Sequence, residues 1–389
     1  MTGPRRRRTE FIPFGQLKTE FIPLAFVRSF SAVMPEERNK FRSTTLAVLL
    51  ATALCIIGRV ACASGMEEFH SILRGKVARA EGEKLSAIAG RDGWLFFVPE
   101  LRSLSIGPFW GELAVKASRS SKPEYADPLP AIVDFNDQLK KAGIDLLLVP
   151  VPAKAAVYPD RLDTALQPPT GDQQRFDPHQ KRFYDLLTER GVTVVDLLLS
   201  FIEHRDTGQP GMYCQTDSHW SGAAVALAAQ TIAEQLRDRP WFSDLAKMKY
   251  DTESREIEIS GDLARMIDEK QPARERLSLE FVGVRQGGVL LPVETSRDSP
   301  VLLMGDSHTL VFHDPELFAK GAGLPDHLAL RLGGPVDLVG VRGSGASTTR
   351  IELLRRRDNL KGKKLVIWCF SFREFTESFT GWRQVPVIR

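Results

Sequence analysis

An acid, an imidazole and a hydroxyl occur in two short motifs of this sequence, and together they could activate a serine nucleophile. Asp217 and His219 stand two residues apart, and Ser307 follows much later in the chain. Serine is a poor nucleophile at neutral pH, so it needs an adjacent base whose tautomer is fixed by a third group. Residues two apart on an extended segment share one face, so Asp217 and His219 can act together.

The residues before Ser307 predict how its hydroxyl is presented. The apolar run Val301–Met304 reaches Gly305, which is typical of a buried strand that ends in a tight turn. In α/β proteins, ligands bind at the carboxyl ends of parallel strands. We therefore expect Ser307 at the carboxyl edge of a sheet, within reach of a base from another segment.

Helix and strand signals alternate from residue 66 onward. This alternation predicts an α/β fold with a doubly wound, mostly parallel sheet and its site at the carboxyl ends of the strands. The predicted strands are Ile144–Val151, Val192–Leu197, Val301–Met304, Val336–Val341 and Leu365–Cys369. The predicted helices are Glu67–Ala89, Leu129–Ala142, Asp177–Arg190, Ser221–Arg237 with Ser221 as its cap, and Ser347–Leu360. Residues 66–389 form one predicted catalytic domain, with a small irregular or antiparallel insertion at about residues 240–300.

Composition sets broad limits on function. The chain has 389 residues, of which 43% are hydrophobic and 26% charged, so it can build an ordinary globular core. Its net charge of +3 is too small to indicate a nucleic-acid partner.

The first 65 residues have the pattern of a targeting segment. Residues 1–43 are basic and predicted to be disordered. A short duplication within them indicates a non-native start, and Met34 is the alternative start of the chain. Residues 44–65 begin with the apolar and small run Thr44–Gly58, which Arg59 ends, and Arg38, Lys40 and Arg42 precede it. This pattern is typical of a signal peptide or an uncleaved signal anchor. Either form exports the rest of the chain.

Four cysteines occur in the chain, without a Cys-x-x-Cys spacing for a metal. Cys214 and Cys369 would remain after cleavage of the targeting segment. An exported compartment permits a disulfide, but two partly buried thiols are the favoured interpretation.

Four motifs in this order resemble those of the alginate O-acetyltransferase family, whose SGNH-hydrolase-like domains act on exopolysaccharides in the periplasm. The motifs are Gly90–Phe97, Val149–Lys154, Thr216–Trp220 and Gly305–His308. The resemblance covers roughly residues 85–375. Because the chain stops soon after the last predicted strand, it resembles the membrane-anchored member that lacks a carbohydrate-binding module.

The resemblance implies a function and a set of site residues. The Asp and His of Asp-x-His-Trp and the Ser of Gly-Asp-Ser form the family's triad, which corresponds to Asp217, His219 and Ser307. The implied reaction moves an acetyl group through an acetyl-serine onto hydroxyls of an exported exopolysaccharide, alginate or similar, anionic or neutral, without a cofactor. The implied acetyl donor is a membrane-bound partner, and the implied location is periplasmic, tethered to the inner membrane by the N-terminal segment.

Further residues are weaker candidates for an oxyanion hole or for substrate binding. They are Gly343, Gly345, Lys154, Arg373 and Trp220. A glycine loop that opens a helix presents free N–H groups, although the same loop is also a plain strand-to-helix turn with Ser347 as N-cap. Guanidinium groups suit uronate carboxylates, but Cys369 stands where the family has an acidic residue, four positions before Arg373.

Two other functions fit parts of the sequence. The tripeptide Asp-Ser-His occurs twice, at 217–219 and 306–308, so two Asp-x-His pairs, with His313 as a further ligand, could bind a metal in an esterase or hydrolase. A non-catalytic polysaccharide-binding or scaffold subunit of an export complex is the alternative from another class.

Overall fold

A computed structural model describes residues 65–169, 175–208, 210–243, 245 and 247–389. The predicted disordered segment and all but the last residue of the predicted targeting segment lie outside these ranges. Within them, none of the helices has both the length and the apolar character that a membrane crossing requires.

The described residues contain ten strands in three sheets. They are β1 (Ala87–Ala89), β2 (Leu95–Phe97), β3 (Asp145–Val151), β4 (Thr193–Val194), β5 (Asp251–Ile259), β6 (Glu275–Gln286), β7 (Val289–Pro292), β8 (Val301–Gly305), β9 (Asp337–Gly340) and β10 (Leu365–Ser371). The central sheet is parallel, with the order β4-β3-β10-β8-β9. Its strands β8 and β10 are buried at every position, as expected for strands covered on both faces.

Helices cover this sheet and connect its strands. They are α1 (65–82), α2 (Val98–Ser105), α3 (Ala114–Ala117), α4 (Pro128–Lys141), α5 (Lys154–Val157), α6 (Pro159–Leu162), α7 (Pro178–Glu189), α8 (Leu198–Glu203), α9 (Gly222–Glu234), α10 (Asp262–Ile267), α11 (Leu324–Leu332), α12 (Ser347–Arg356) and α13 (Glu374–Glu377). The predicted α/β class and mostly parallel sheet are confirmed.

The antiparallel insertion is a three-stranded sheet in the order β5-β6-β7. The short helix α10 lies between β5 and β6 in the chain. The side chains of β5 are mostly exposed or half-buried, whereas alternate positions of β6 are buried. One face of this small sheet therefore packs inward, and β5 forms its outer edge.

Some predicted elements differ in length from the observed ones. The first predicted helix ends at residue 82, and Ala87–Ala89 instead pairs antiparallel with Leu95–Phe97. The turn between these strands contains Gly93 at φ +81°, a conformation that favours glycine. The predicted strand Val192–Leu197 is reduced to Thr193–Val194. Helix α9 has the predicted cap, since the Ser221 hydroxyl accepts the Ala224 N–H.

The topology brings distant parts of the sequence to one edge of the sheet. Because β3, β8 and β10 are parallel neighbours, the residues after their carboxyl ends lie at the same edge. These residues include Lys154, Ser307 and Arg373. Gly305 permits the close approach of β8 to β10, because a Cβ there would lie 1.6 Å from the Cys369 carbonyl oxygen.

Both described cysteines are buried and unpaired. Cys369 lies in β10, and the Cys214 thiol approaches the Trp220 carbonyl oxygen at 3.6 Å. Burial raises the pKa of both thiols well above the ordinary value. The disulfide between them is therefore absent from this fold, and both thiols are fully buried, not partly buried as predicted.

Candidate active site

Asp217, His219 and Ser307 form a continuous hydrogen-bonded chain. The Nδ1 atom of His219 lies 2.6 Å from Asp217 Oδ1, and its Nε2 atom lies 2.7 Å from Ser307 Oγ. In the tautomer whose Nδ1–H donates to Asp217, Nε2 accepts the proton of the Ser307 hydroxyl. Asp217 and His219 are buried, at 1% and 6% exposure, whereas Ser307 is half-buried and accessible. This arrangement can generate a serine nucleophile.

A narrow hairpin presents the acid and the base. Tyr213 and Trp220 form an antiparallel bridge, and the Cys214 N–H donates to the His219 carbonyl. The Tyr213 hydroxyl donates to the Pro152 carbonyl at 2.5 Å, which fixes the hairpin to the carboxyl end of β3. The segment between them therefore sits at the sheet edge that Ser307 also occupies.

Asp306 fixes the turn that carries Ser307. Its Oδ1 atom accepts the His308 N–H at 2.9 Å, and its Oδ2 atom accepts the Ser371 N–H at 2.8 Å. The carboxylate thus caps the 3-10 turn Ser307–Thr309 and joins it to β10. Burial opposes ionisation, but the interactions with His308, Arg373 and Ser371 lower the pKa of Asp306 to about 2.

The charges of Asp217 and His219 stabilise each other. Burial alone would lower the pKa of His219, but the charge and hydrogen bond of Asp217 outweigh it and raise that pKa above 6.5. Burial also opposes ionisation of Asp217, yet His219 and the backbone N–H groups of Asp262 and His219 lower its pKa. The acid is therefore a carboxylate at neutral pH.

Lys154 supports the hairpin from inside the core. Its Nζ atom donates to the carbonyls of Leu95, Gln215 and Asp217 at 2.7, 3.0 and 3.2 Å, and the residue is 1% exposed. Burial lowers the pKa of this ammonium group. Lys154 was predicted as a contact for the oxyanion or the substrate, but its three donors are already used by the backbone below Asp217.

We predict that Lys154→Met destabilises the protein without changing its surface. The Gln215 carbonyl keeps the Leu95 N–H as a donor at 2.9 Å, but the Leu95 and Asp217 carbonyls lose the ammonium donor. Each unsatisfied group costs about 1–3 kcal/mol, so we expect a loss of about 3 kcal/mol in the free energy of unfolding. Urea unfolding followed by circular dichroism measures this loss. Lys116→Met, at an exposed position, is the matched control and should stay within about 0.5 kcal/mol of wild type. Equal stability of the two variants would contradict this role of Lys154.

Two acidic residues of the insertion, neither of them predicted from the sequence, complete the support of the hairpin. Glu275 accepts the N–H groups of Gln215 and Thr216, both at 2.7 Å. Asp262 accepts the N–H and the hydroxyl of Ser218 at 2.7 and 2.6 Å. Both lie in an irregular, charged stretch where most carboxylates are solvated, so no local pattern marks them.

Arg373 lies beside the triad. Its guanidinium packs over the Phe97 ring at 5.2 Å, and its buried Nη1 atom has no hydrogen-bond partner among the described residues. Burial raises the pKa of the neighbouring Glu374 to about 7, and the charge of Arg373 opposes that rise. The guanidinium thus has an unused donor next to the turn of Ser307.

The two glycines predicted for the oxyanion hole lie in different surroundings. Gly345 packs against Ser307's turn, since a Cβ there would lie 2.9 Å from the Asp306 backbone nitrogen. Gly343 has φ +96° and open space around it. Ser347 is not the N-cap of α12: that position is Ala346, and the Ser347 hydroxyl donates to the Gly381 carbonyl at 2.6 Å.

Trp220 has no exposed surface. In place of the predicted contact with a sugar, its ring packs edge-on against His308, with the ring centroids 5.6 Å apart. The residue therefore supports the site from within the core.

His308 of the second Asp-x-His pair, and His313, each pair with a buried aspartate. His308 Nδ1 lies 3.1 Å from Asp306, and burial lowers the pKa of His308 to about 4, so this imidazole is neutral. His313 Nδ1 lies 2.9 Å from Asp326, in the first turn of α11. Across the described ranges, the one trio of acidic and imidazole groups spaced for a metal is Asp217, His219 and Asp262, which leaves out the second pair.

The parallel α/β sheet carries a serine, a histidine and an aspartate at its carboxyl edge, an arrangement suited to enzymes with a serine nucleophile. The chain belongs to the family described as "SGNH hydrolase-like domain, acetyltransferase AlgX", which matches residues 87–372. The family predicted from the sequence motifs is thus confirmed.

Curated relatives carry the name "Probable alginate O-acetylase AlgJ". The Pseudomonas aeruginosa protein is 25% identical over 154 residues, which are 39% of this chain and 33% of the relative. The Pseudomonas fluorescens protein is 22% identical over 231 residues, or 57% of this chain and 53% of the relative. The matches therefore span between a third and about half of the length of these relatives.

Two solved structures share the fold. The O-acetyltransferase domain of Pseudomonas putida AlgJ has a TM-score of 0.54 and 22% identity, covering 75% of this chain and 92% of that domain. Pseudomonas aeruginosa AlgX has a TM-score of 0.53 and 16% identity, covering 78% of this chain and 66% of that protein. At these identities the likeness shows the fold alone.

Proposed function

We propose that this protein is an O-acetyltransferase that moves an acetyl group through an acetyl-serine onto hydroxyls of an exported exopolysaccharide. The observation that carries the proposal is the hydrogen-bonded chain from Asp217 through His219 to Ser307. Family membership supports acetyl transfer as the chemistry, and the names of the relatives support alginate or a similar polymer as the acceptor.

The first step is acylation of Ser307. His219 Nε2 takes the hydroxyl proton while Ser307 Oγ attacks the carbonyl carbon of an acetyl donor. When the bond to the donor's leaving group breaks, His219 returns the proton to that group. Asp217 holds the imidazole in the required tautomer and stabilises its protonated form.

The second step transfers the acetyl group. A sugar hydroxyl gives its proton to His219 and attacks the acetyl carbon, and the bond from Ser307 Oγ to that carbon breaks as Ser307 regains a proton. Both tetrahedral intermediates carry an oxyanion, and hydrogen-bond donors aimed at it contribute several kcal/mol of transition-state stabilisation. The backbone N–H of Ser307, the N–H of Gly345 and the unused Nη1 donor of Arg373 are the proposed donors.

The partners and the location follow from the proposed chemistry. An exported polymer requires a protein in the periplasm, and an acetyl donor made inside the cell requires a membrane-bound partner that carries the group across. We propose that residues 44–65 direct export and tether the chain to the inner membrane.

Purified full-length protein tests this function directly. We expect acetyl esters to appear on a deacetylated polyuronate after incubation with p-nitrophenyl acetate, as measured by proton NMR of the polymer. Release of acetate alone, with the polymer unmodified, would make the protein an esterase. Polymer binding without any acetyl-enzyme would favour the scaffold function, and activity lost to a chelator and restored by a metal would favour the metal-dependent hydrolase.

We predict that the rate of acetyl-enzyme formation falls as the pH drops below the pKa of His219, which is raised from its ordinary value of 6.5. The base must be neutral to accept the serine proton, and the pKa of His219 is raised above that value by Asp217. The rate should therefore rise with pH through the raised pKa and then level off. Stopped-flow measurement of p-nitrophenolate release, corrected for its own ionisation, gives this profile. A flat profile from about pH 5 to 8 would show that His219 is not the base.

A further inference from the structure

We propose that Asp262, which the antiparallel insertion supplies, is a positioning residue for Asp217 and His219. This inference rests on the proposed acetyl transfer and adds a fourth residue to its machinery. Asp262 is the first residue of α10, and it approaches the hairpin 45 positions away in the sequence.

The backbone of Asp262 fixes the triad acid. Its N–H donates to Asp217 Oδ2 at 2.8 Å, while the other oxygen of Asp217 accepts the His219 N–H at 2.9 Å and faces Nδ1. The two carboxylate oxygens are thus held by donors from different segments. Rotation of the carboxylate would break contacts on both sides, so the oxygen that faces the imidazole stays in place.

The side chain of Asp262 fixes the residue between the acid and the base. Its Oδ1 atom accepts the Ser218 N–H and its Oδ2 atom accepts the Ser218 hydroxyl proton. Charge-assisted hydrogen bonds of this kind are stronger than neutral ones. One residue therefore holds both the carboxylate of Asp217 and the backbone that connects it to His219.

The start of α10 in the insertion is in direct backbone contact with the hairpin. A Cβ on Gly261 would lie 2.0 Å from the Thr216 carbonyl oxygen, so only glycine allows the approach. The Ala264 N–H donates to the same carbonyl at 3.0 Å. The carboxylate of Asp262 is placed against Ser218 by Gly261 before it and by the first turn of α10.

Asp262 also places a second carboxylate beside the imidazole, and burial and the charge of Asp217 raise the pKa of that carboxylate. The charged groups that face His219 are Asp217 on its own segment, Asp262 from the insertion and Arg373 after β10. The ring of His308 lies 4.8 Å away and is neutral. The charge of Asp262 favours protonated His219 and that of Arg373 disfavours it, so loss of Asp262 should lower the pKa of His219.

Asp262→Asn and Asp262→Ala separate the charge from the contact. In Asp262→Asn the amide oxygen can still accept the Ser218 N–H, and the Ser218 hydroxyl can turn to accept from the amide nitrogen. We expect this variant to keep its fold and to move the acidic limb of the acetylation profile to lower pH. In Asp262→Ala both acceptors are lost, and we expect acetyl-enzyme to form about 10- to 100-fold more slowly at the plateau because the catalytic groups are no longer held in place.

Stopped-flow profiles with p-nitrophenyl acetate decide the outcome. Asp268→Asn, an exposed carboxylate after the same helix, is the matched control and should reproduce the wild-type profile. If wild type forms no acetyl-enzyme, the proposed function fails whatever Asp262 does. If wild type reacts, a folded Asp262→Ala that keeps the wild-type plateau rate overturns the positioning role, and so does an acidic limb of Asp262→Asn that coincides with the wild-type limb. If circular dichroism shows that Asp262→Ala is unfolded, the acidic limb of the Asp262→Asn profile alone tests the role of Asp262.

Discussion

Ser307→Ala should abolish acetyl transfer while leaving the protein folded. The substitution removes the one atom that forms the covalent bond, and removal of the nucleophile in a serine triad costs about 10⁶-fold in kcat. Ser307 is half-buried and its hydroxyl bonds to His219, so the loss of this contact should change the free energy of unfolding by about 1 kcal/mol or less. Acetyl esters on the polymer and acetate release, both followed over hours, measure the effect.

A matched serine shows whether the loss is specific. Ser254→Ala alters an exposed serine on β5, away from the triad, and should retain wild-type transfer. Residual transfer by Ser307→Ala above about a hundredth of the wild-type rate would show that a residue other than Ser307 receives the acetyl group.

Asp217→Asn should slow acetyl-enzyme formation by about four orders of magnitude, as expected when the acid of a triad becomes an amide. The hydrogen bonds of this site make the effect severe. One Asp217 oxygen accepts from His219 N–H and Nδ1, and the other accepts from the Asp262 N–H. An asparagine NH₂ that faces His219 favours the wrong tautomer of the imidazole, and one that faces Asp262 meets the Asp262 N–H donor. In both orientations the negative charge that stabilises protonated His219 is lost.

The same conflict predicts a cost in stability. A buried donor left without an acceptor costs about 1–3 kcal/mol, which urea unfolding can resolve. Asp206→Asn removes a carboxylate that is 88% exposed and serves as the control for both readouts. Transfer by Asp217→Asn within tenfold of wild type would show that Asp217 does not orient the base.

The sequence predicted the parts of the fold that depend on local pattern. The apolar run before Gly305 is strand β8, and the serine two residues after that glycine emerges at the carboxyl edge of the sheet. Asp217 and His219 were predicted to share one face of an extended segment, but the chain bends between them: Asp217 Oδ1 accepts the His219 N–H and faces Nδ1, and only His219 reaches Ser307. These features follow from residues close together in the chain.

The surroundings of the site depend on contacts between distant segments, which local pattern does not record. Asp262 and Glu275 reach the hairpin from an insertion whose other carboxylates are solvated. Lys154 was placed correctly at the end of β3, but its burial under three carbonyls follows from the packing of β2 and the hairpin around it. The first helix was predicted to extend to Ala89, because the apolar residues Ala87–Ala89 also fit a helix. They form a strand because they pair with β2.

Mass spectrometry of the wild-type full-length protein after brief incubation with p-nitrophenyl acetate shows whether Ser307 carries the acetyl group. We expect one added acetyl group, located on Ser307 by peptide mapping, and no such adduct in Ser307→Ala or His219→Ala. An adduct that persists in both variants, or a wild-type protein that transfers acetyl to the polymer without ever carrying it on Ser307, would rule out the acetyl-serine intermediate.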